Sequence, residues 1–493
     1  MVSPVRHHGL LLLAGASWLA CGPGAAPAPP HGLDAPPAAS RASAPIAPPA
    51  ASSQAPAQPR PQRFVDPALA SAWTYPDLPQ RKERAQRLAA KLSAELEGDR
   101  VPPSGSFAFA LVVDSEIVLL KAKGHADAER KVQATVDTIY RVASITKTFT
   151  ATALLALRDE GKLSLADPLA AHLAELDLGY PHRDSAPVRI EQLLTHSAGL
   201  ARSGPYAELA RPSTEADLVD AMKLPLSTDP GLGHRYSNLA FGLLGLVVGR
   251  RAEVPYRDFV RTRLLEPLGM SSSGYDLARL PPERLAVGYR LEGNGVVRPS
   301  PITANGAGEA AGGLCSTARD MAAYLRLQLG AWPPRDDPED GPVRRATLRE
   351  MHAPRLPFAV ASATHPSGAP RGHVRSVGVA WEVLKGCYFD RLVGHDGDLD
   401  GFHARLRFDQ DRGFVFVWLG NSDATDATGV VERLLDRVAS EDLLAARRRE
   451  PAAALLERAR DVVRRLGPSW TPDDHARAFA EQAELGHAQA TAR

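Results

Sequence analysis

Ser144 and Lys147 stand three residues apart, where an extended segment gives way to an apolar run. On a helix, residues i and i+3 share a face, so the lysine amine can reach the serine hydroxyl. The first helical turn adds unpaired N–H groups and the positive end of the helix dipole. A free serine is a weak nucleophile, and an adjacent amine in such a field activates it. The chemistry implied is nucleophilic attack by an activated serine. A plainer reading is an N-cap serine followed by a solvated first-turn lysine, and the tetrapeptide alone does not separate the two.

Three further stretches carry polar groups at places where a cleft would open. Tyr236, Ser237 and Asn238 immediately precede an apolar segment ending near Gly249. They read either as side chains facing a cleft or as the N-cap of a buried helix. Gly394 to Gly401 places His395 among glycines and aspartates, where backbone amides can approach a bound group closely. The same composition suits an ordinary turn between strands. His196 ends a short helical stretch from Ile190 and is read as a buried histidine bonded to local backbone rather than as a catalytic base.

These residues need elements to hold them. From Phe149 to Leu157 the chain is almost wholly apolar, which implies a helix buried in a core, with Gly161 as its stop. Gln80 to Leu96 has helical spacing, and Phe107 to Leu120 reads as two strands around a polar turn, one face buried. Ala310 to Leu325 reads as a glycine turn, an N-cap at Ser316 or Thr317 and an amphipathic helix. Strands are predicted over Val377–Val383, Arg391–Gly394, Gly401–Phe408 and Gly413–Gly420, with His395 in a connecting turn. A helix follows from about Thr428 to Arg447.

The chain as a whole excludes several classes. With 493 residues, 58 basic and 57 acidic, the formal charge is +1. There is no basic excess to suggest nucleic acid. No phosphate loop, dinucleotide fingerprint or metal-ligand spacing calls for a cofactor or metal. Cys315 and Cys387 could pair if the protein is exported, but sequence does not supply the geometry. Arg6, His7 and His8 precede a short apolar run from Leu10 to Ala20. Its end at Cys21 and Gly22 resembles a bacterial lipoprotein signal, with Trp18 as a departure. The expected layout is a signal over 1–21 and an Ala/Pro/Ser-rich disordered linker over 22–79. A catalytic domain over 80–447 and a helical extension over 448–493 complete it. Residence at the cell-envelope or periplasmic face follows, with the membrane touched only through a lipid on Cys21.

Taken in order, Ser144–Lys147, Tyr236–Asn238 and His395–Gly397 resemble the three catalytic elements of the serine β-lactamase, penicillin-binding protein and esterase superfamily. The closest branch holds AmpC-type β-lactamases and D-alanyl-D-alanine carboxypeptidases. Leu194–Leu200, Glu266–Met270 and Ala311–Thr317 also look like family signatures, and the resemblance covers roughly residues 80 to 447. It implies an α/β (α+β) fold of the β-lactamase/transpeptidase type: a mostly antiparallel sheet flanked by helices, with an inserted all-helical region. It further implies Ser144 as nucleophile, Lys147 and Tyr236 as proton carriers, and Asn238, His395 and Gly397 as substrate-orienting residues. The backbone N–H groups of Ser144 and Asp398 would form the oxyanion hole. The usual third element is K-T-G, so histidine at 395 is a departure. A mostly neutral imidazole among Asp396, Asp398 and Asp400 favours uncharged esters or amides over penicillins. The expected function is hydrolysis of a small ester, amide or peptide through an acyl-enzyme. A cell-wall D,D-carboxypeptidase or β-lactamase with the same residues is the first alternative. A non-catalytic ligand sensor on the same fold is the second.

Overall fold

The computed structural model describes residues 72–74, 78–204, 212–293, 295–300, 306–364, 370–386, 389–441, 444–450 and 457. Two compact units divide the chain at residues 63 and 64. The first unit, with the expected export signal and Cys21, lies outside the described residues, as do Cys387 and most of the expected C-terminal helices.

In the second unit, Arg81–Gly98 forms helix α1. Ser106–Val113 (β1) and Glu116–Asp127 (β2) make the predicted hairpin, turning at Asp114 and Ser115, both at positive φ. Val132–Gln133 (β3) completes that edge. The chain returns through Leu356–Thr364 (β4), Pro370–Val377 (β5), Glu382–Gly386 (β6), Leu392–Leu399 (β7), Phe402–Asp409 (β8) and Phe414–Gly420 (β9). Nine antiparallel strands run in the order β3-β2-β1-β9-β8-β7-β6-β5-β4, so both ends of the domain build one sheet.

That sheet is buried on two sides at its centre. Ala108, Ala110 and Val112 of β1, with Val415, Val417 and Leu419 of β9, face one core. The alternate residues Phe107, Phe109, Leu111, Phe414, Phe416 and Trp418 face a second core against α1 and Ala427–Glu441 (the final helix). The hairpin was expected to bury one face. Helices on both sides bury two, and the period-2 alternation survives only as a partition between cores.

Between β3 and β4 lies a mostly helical region. It contains Thr146–Asp159 (α2), Asn238–Ala252 (α3) and Ala318–Gly330 (α4). It is not all helix: Tyr140–Arg141 pairs with Cys315–Ser316, and Gly288–Leu291 with Val297–Ser300. Each ladder is too short to show a strand period.

Other boundaries shift for identifiable reasons. Ala72–Thr74, inside the expected linker, pairs with Arg448–Glu450, inside the expected helical extension. Pairing between segments this far apart has no local signal. Gly378 to Trp381 is not strand. Ala380 takes φ +61°, and Val379, Ala380 and Trp381 are buried in the main core. The final helix stops at Glu441 rather than reaching Arg447. Cys315 is buried and free, its thiol pushed up to about 11 by burial.

Candidate active site

Ser144 lies in a 3-10 turn, Ala143–Ile145, that leads directly into α2. Ala143 takes φ +48°, a left-handed conformation costing a non-glycine residue on the order of 1–3 kcal/mol. The surroundings enforce it. Thr146 Oγ1 donates to the Ala143 carbonyl at 2.6 Å and accepts the Leu314 N–H at 3.1 Å. Thr146 thus ties the nucleophile turn to the strand carrying Cys315.

Lys147 is fully buried. Its Nζ lies 3.0 Å from Ser144 Oγ and donates to the Ala311 carbonyl at 2.6 Å. Burial, reinforced by the charge of Arg202, holds the amine well below the usual lysine range. The solvated first-turn lysine is therefore not what the fold contains.

Tyr236 stands just ahead of α3, next to its N-cap Ser237. Lys147 Nζ lies 5.0 Å from its ring centroid, and Ser144 is near enough to act on the phenol's titration. Burial pushes the phenol up to about 12, against the opposing effects of Ser144 and Arg202. Lysine lowered and tyrosine raised means that the amine gives up its proton before the phenol does. Of Ser237 and Asn238, Ser237 is the N-cap, its Oγ accepting the Ala240 N–H at 3.0 Å. The Asn238 amide donates to Ser203 Oγ at 3.2 Å rather than bridging to Lys147.

His395 and Gly397 lie inside strand β7, not in the turn expected for them. The turn falls at Asp400 and Gly401 instead. Glycine at 397 has a packing reason: a Cβ there would overlap the Val142 carbonyl and come 3.2 Å from Ser144 N. Close approach of two backbones, not a bend, explains it. The next residue, Asp398, therefore follows a strand segment pressed against the nucleophile turn.

The aspartates around His395 are neutralised from the neighbouring strand. Arg407 Nη1 and Nη2 bond Asp396 at 2.5 and 3.1 Å. Burial alone would raise the Asp396 carboxyl, but Arg407 outweighs it and holds it low. Arg405 lies 2.9 Å and His403 2.6 Å from Asp398 Oδ1. His395 Nδ1 donates to the Asp396 carbonyl at 2.7 Å, leaving Nε2 as an acceptor. Burial, the largest cause, lowers its pKa below the ordinary histidine value, so His395 is neutral at pH 7.

Four participants had no role assigned from sequence. Arg202 is exposed, and its guanidinium stands 5.2 Å from the Tyr236 centroid. The Ala311 carbonyl anchors Lys147, although the glycine-rich stretch around it was legible as a signature. Glu382 on β6 lies near enough to act electrostatically on Tyr236 and His395. His196 is buried as expected, but Nδ1 accepts from the distant Ser237 N–H, not from local backbone.

No group of three His, Cys, Asp or Glu side chains among the described residues could hold a metal ion. A separate cavity of about 420 Å³ is lined by Glu215, Arg250, Tyr256 and Glu309. Three of its charges are already matched, Arg250 with Glu175 and Glu215, and Glu309 with Arg257.

Residues 103–441 match the family model described as Beta-lactamase. Protein Rv1367c of Mycobacterium tuberculosis is 34% identical over 232 residues, covering 42% of this chain and 58% of that protein. Beta-lactamase-like protein 2 of Dictyostelium discoideum is 33% identical over 238 residues, covering 46% and 43% respectively. The chain thus spans about half the length of these curated relatives. The octameric penicillin-binding protein homologue from Pyrococcus abyssi superposes with a TM-score of 0.58 at 25% identity. That alignment covers 72% of this chain and 77% of the archaeal one.

Proposed function

The chain belongs to the beta-lactamase family, and from that premise we propose that it hydrolyses an ester or amide through an acyl-enzyme on Ser144, with Lys147 as base. The observation that carries the reading is a serine oxygen set against a buried amine, with a tyrosine ring beside that amine. Ser144 Oγ lies 3.0 Å from the amine of a fully buried lysine, and that amine stands 5.0 Å from the Tyr236 ring centroid.

The steps follow from that arrangement. As Ser144 Oγ bonds to the substrate carbonyl carbon, its proton passes to the neutral Lys147 amine. The oxyanion is held by the N–H groups of Ser144 and Asp398, a donor pair of the kind worth about 3 kcal/mol each. Collapse breaks the bond to the leaving group, which departs with the Tyr236 proton, and Lys147 restores that proton to the phenol. Water then adds to the acyl carbon, its proton moving through the same pair to Ser144 as the acid product leaves. Asn238, His395 and Gly397 line and orient the bound acyl group. Export and lipidation at Cys21 belong to the same proposal and are supported by the sequence pattern alone.

Intact-mass analysis after fluorophosphonate treatment tests the reading. One adduct should form per chain, mapping to the peptide that contains Ser144. An adduct elsewhere, or none while esters are still hydrolysed, would sink it.

The neutrality of His395 bears on substrate. Where a third-element lysine would pair with a carboxylate, this site offers an uncharged acceptor nitrogen. Simple phenyl esters should therefore show a kcat/KM at least about tenfold above that of benzylpenicillin, the scale of one weak charge pair. Steady-state rates on both substrates decide it, and a penicillin preference would reject the role given to His395.

A further inference from the structure

We propose that His196 is a positioning residue for Tyr236, fixing the aim of the phenol by holding the chain on both sides of it. This rests on the reading of Tyr236 as the proton carrier. The His196 carbonyl accepts the Arg235 N–H at 2.6 Å. Its Nδ1 accepts the Ser237 N–H at 3.0 Å. Between those two bonds the imidazole lies against the Tyr236 ring, centroids 4.4 Å apart and planes 29° from parallel. One residue thus holds 235, 236 and 237 in succession.

The backbone is bent to allow this. His196 takes φ +54°, an uncommon conformation for a non-glycine residue, retained where surrounding structure dictates it. The loop that follows extends the same template. The Ala201 carbonyl accepts from Ser237 Oγ at 2.7 Å, and the Arg202 carbonyl accepts the Asn238 N–H at 2.6 Å. His196 is 3% exposed, and Phe241 packs 5.1 Å from its centroid. Because Nδ1 accepts, the ring proton sits on Nε2, which has no hydrogen-bond partner among the described residues. The ring must stay neutral to keep the Ser237 bond. Burial, the largest cause, lowers its pKa and so favours that form.

A residue that only filled the core would support stability without affecting where the phenol points. The distinction is measurable, since misplacement of a catalytic group by about 1 Å can cost about 100-fold in rate. A double-mutant cycle on the full chain, with ester hydrolysis as readout, compares His196→Phe, Tyr236→Phe and the double variant. Phenylalanine keeps a flat ring against Tyr236 and removes the acceptor. His196→Phe should lower kcat about tenfold or more with KM within about twofold, per site counted by fluorophosphonate mass. In the Tyr236→Phe background the same change should alter kcat by less than about twofold. His196→Asn, whose Oδ1 can accept the Ser237 N–H, should recover part of the loss. That variant also closes the cycle by itself should His196→Phe fail to fold. Multiplying effects, or an unchanged kcat in the folded His196 variants, would overturn the proposal. An unchanged kcat in Tyr236→Phe alone would instead bring down the reading of Tyr236, and this is seen before the cycle is closed.

Discussion

Ser144→Ala is expected to lower ester turnover by at least about 10⁴-fold and to abolish the fluorophosphonate adduct, while its Tm stays within about 2–4 °C of the parent. The large kinetic effect follows from the absence of a substitute. Thr146 is committed to the Ala143 carbonyl and the Leu314 N–H. Thr148 donates to the Ile145 carbonyl and meets the Tyr324 hydroxyl. Ser237 caps α3 and donates to the Ala201 carbonyl. None of these hydroxyls shares the Lys147 amine. The small thermal effect follows because alanine deletes one half-buried oxygen and no apolar contact, and Lys147 keeps its bond to the Ala311 carbonyl. Paired rate and melting measurements on parent and variant check both halves. Turnover within tenfold of the parent would mean that the acyl group is carried by another residue.

How far the site could be read from sequence depended on whether each signal was local. Ser144, Lys147 and the apolar run behind them lie within a few turns of one helix, and spacing alone brings them together. The N-cap at Ser237 is likewise a short-range feature. Strand β7 was misplaced because its glycines and aspartates have the composition of a turn. They are tolerated in a strand because Gly397 must pass close to Ser144 N. Arg405 and Arg407 on β8 then neutralise the acids. That compensation runs across a ladder and leaves no trace in β7 itself. His196 shows the same limit. Its burial was legible, but the N–H that its ring accepts lies 41 residues away. The segment from Gly378 to Trp381 has strand composition and lies in the core without being strand, because burial and β-propensity favour the same residues.

Lys147→Met should reduce acylation about 10³–10⁴-fold, the scale of a lost general base, yet leave the protein at least as stable as its parent at pH 7. Methionine is close in length and fills the space without an ionisable group. The stability argument turns on where the proton is. In the unfolded chain a lysine titrates near 10.4, and in the fold Lys147 titrates well below that because it is buried and faces Arg202. Between the two values the unfolded chain holds one more proton than the folded one, so the parent gains stability as pH rises. That contribution is complete above the unfolded value and is lost as pH falls through the folded one. The methionine variant has no such term, so its Tm advantage should be greatest near neutrality and shrink towards pH 10. Losing the bond to the Ala311 carbonyl displaces the whole curve without changing that slope. The parent's kcat/KM should follow the same titration, rising through the folded pKa of Lys147 and staying level to pH 10, since the phenol is pushed up to about 12. Melting curves and rates from pH 6 to 10 measure both. A Tm difference that is flat or widens with pH would mean that Lys147 is charged in the fold, and the base would then have to be Tyr236.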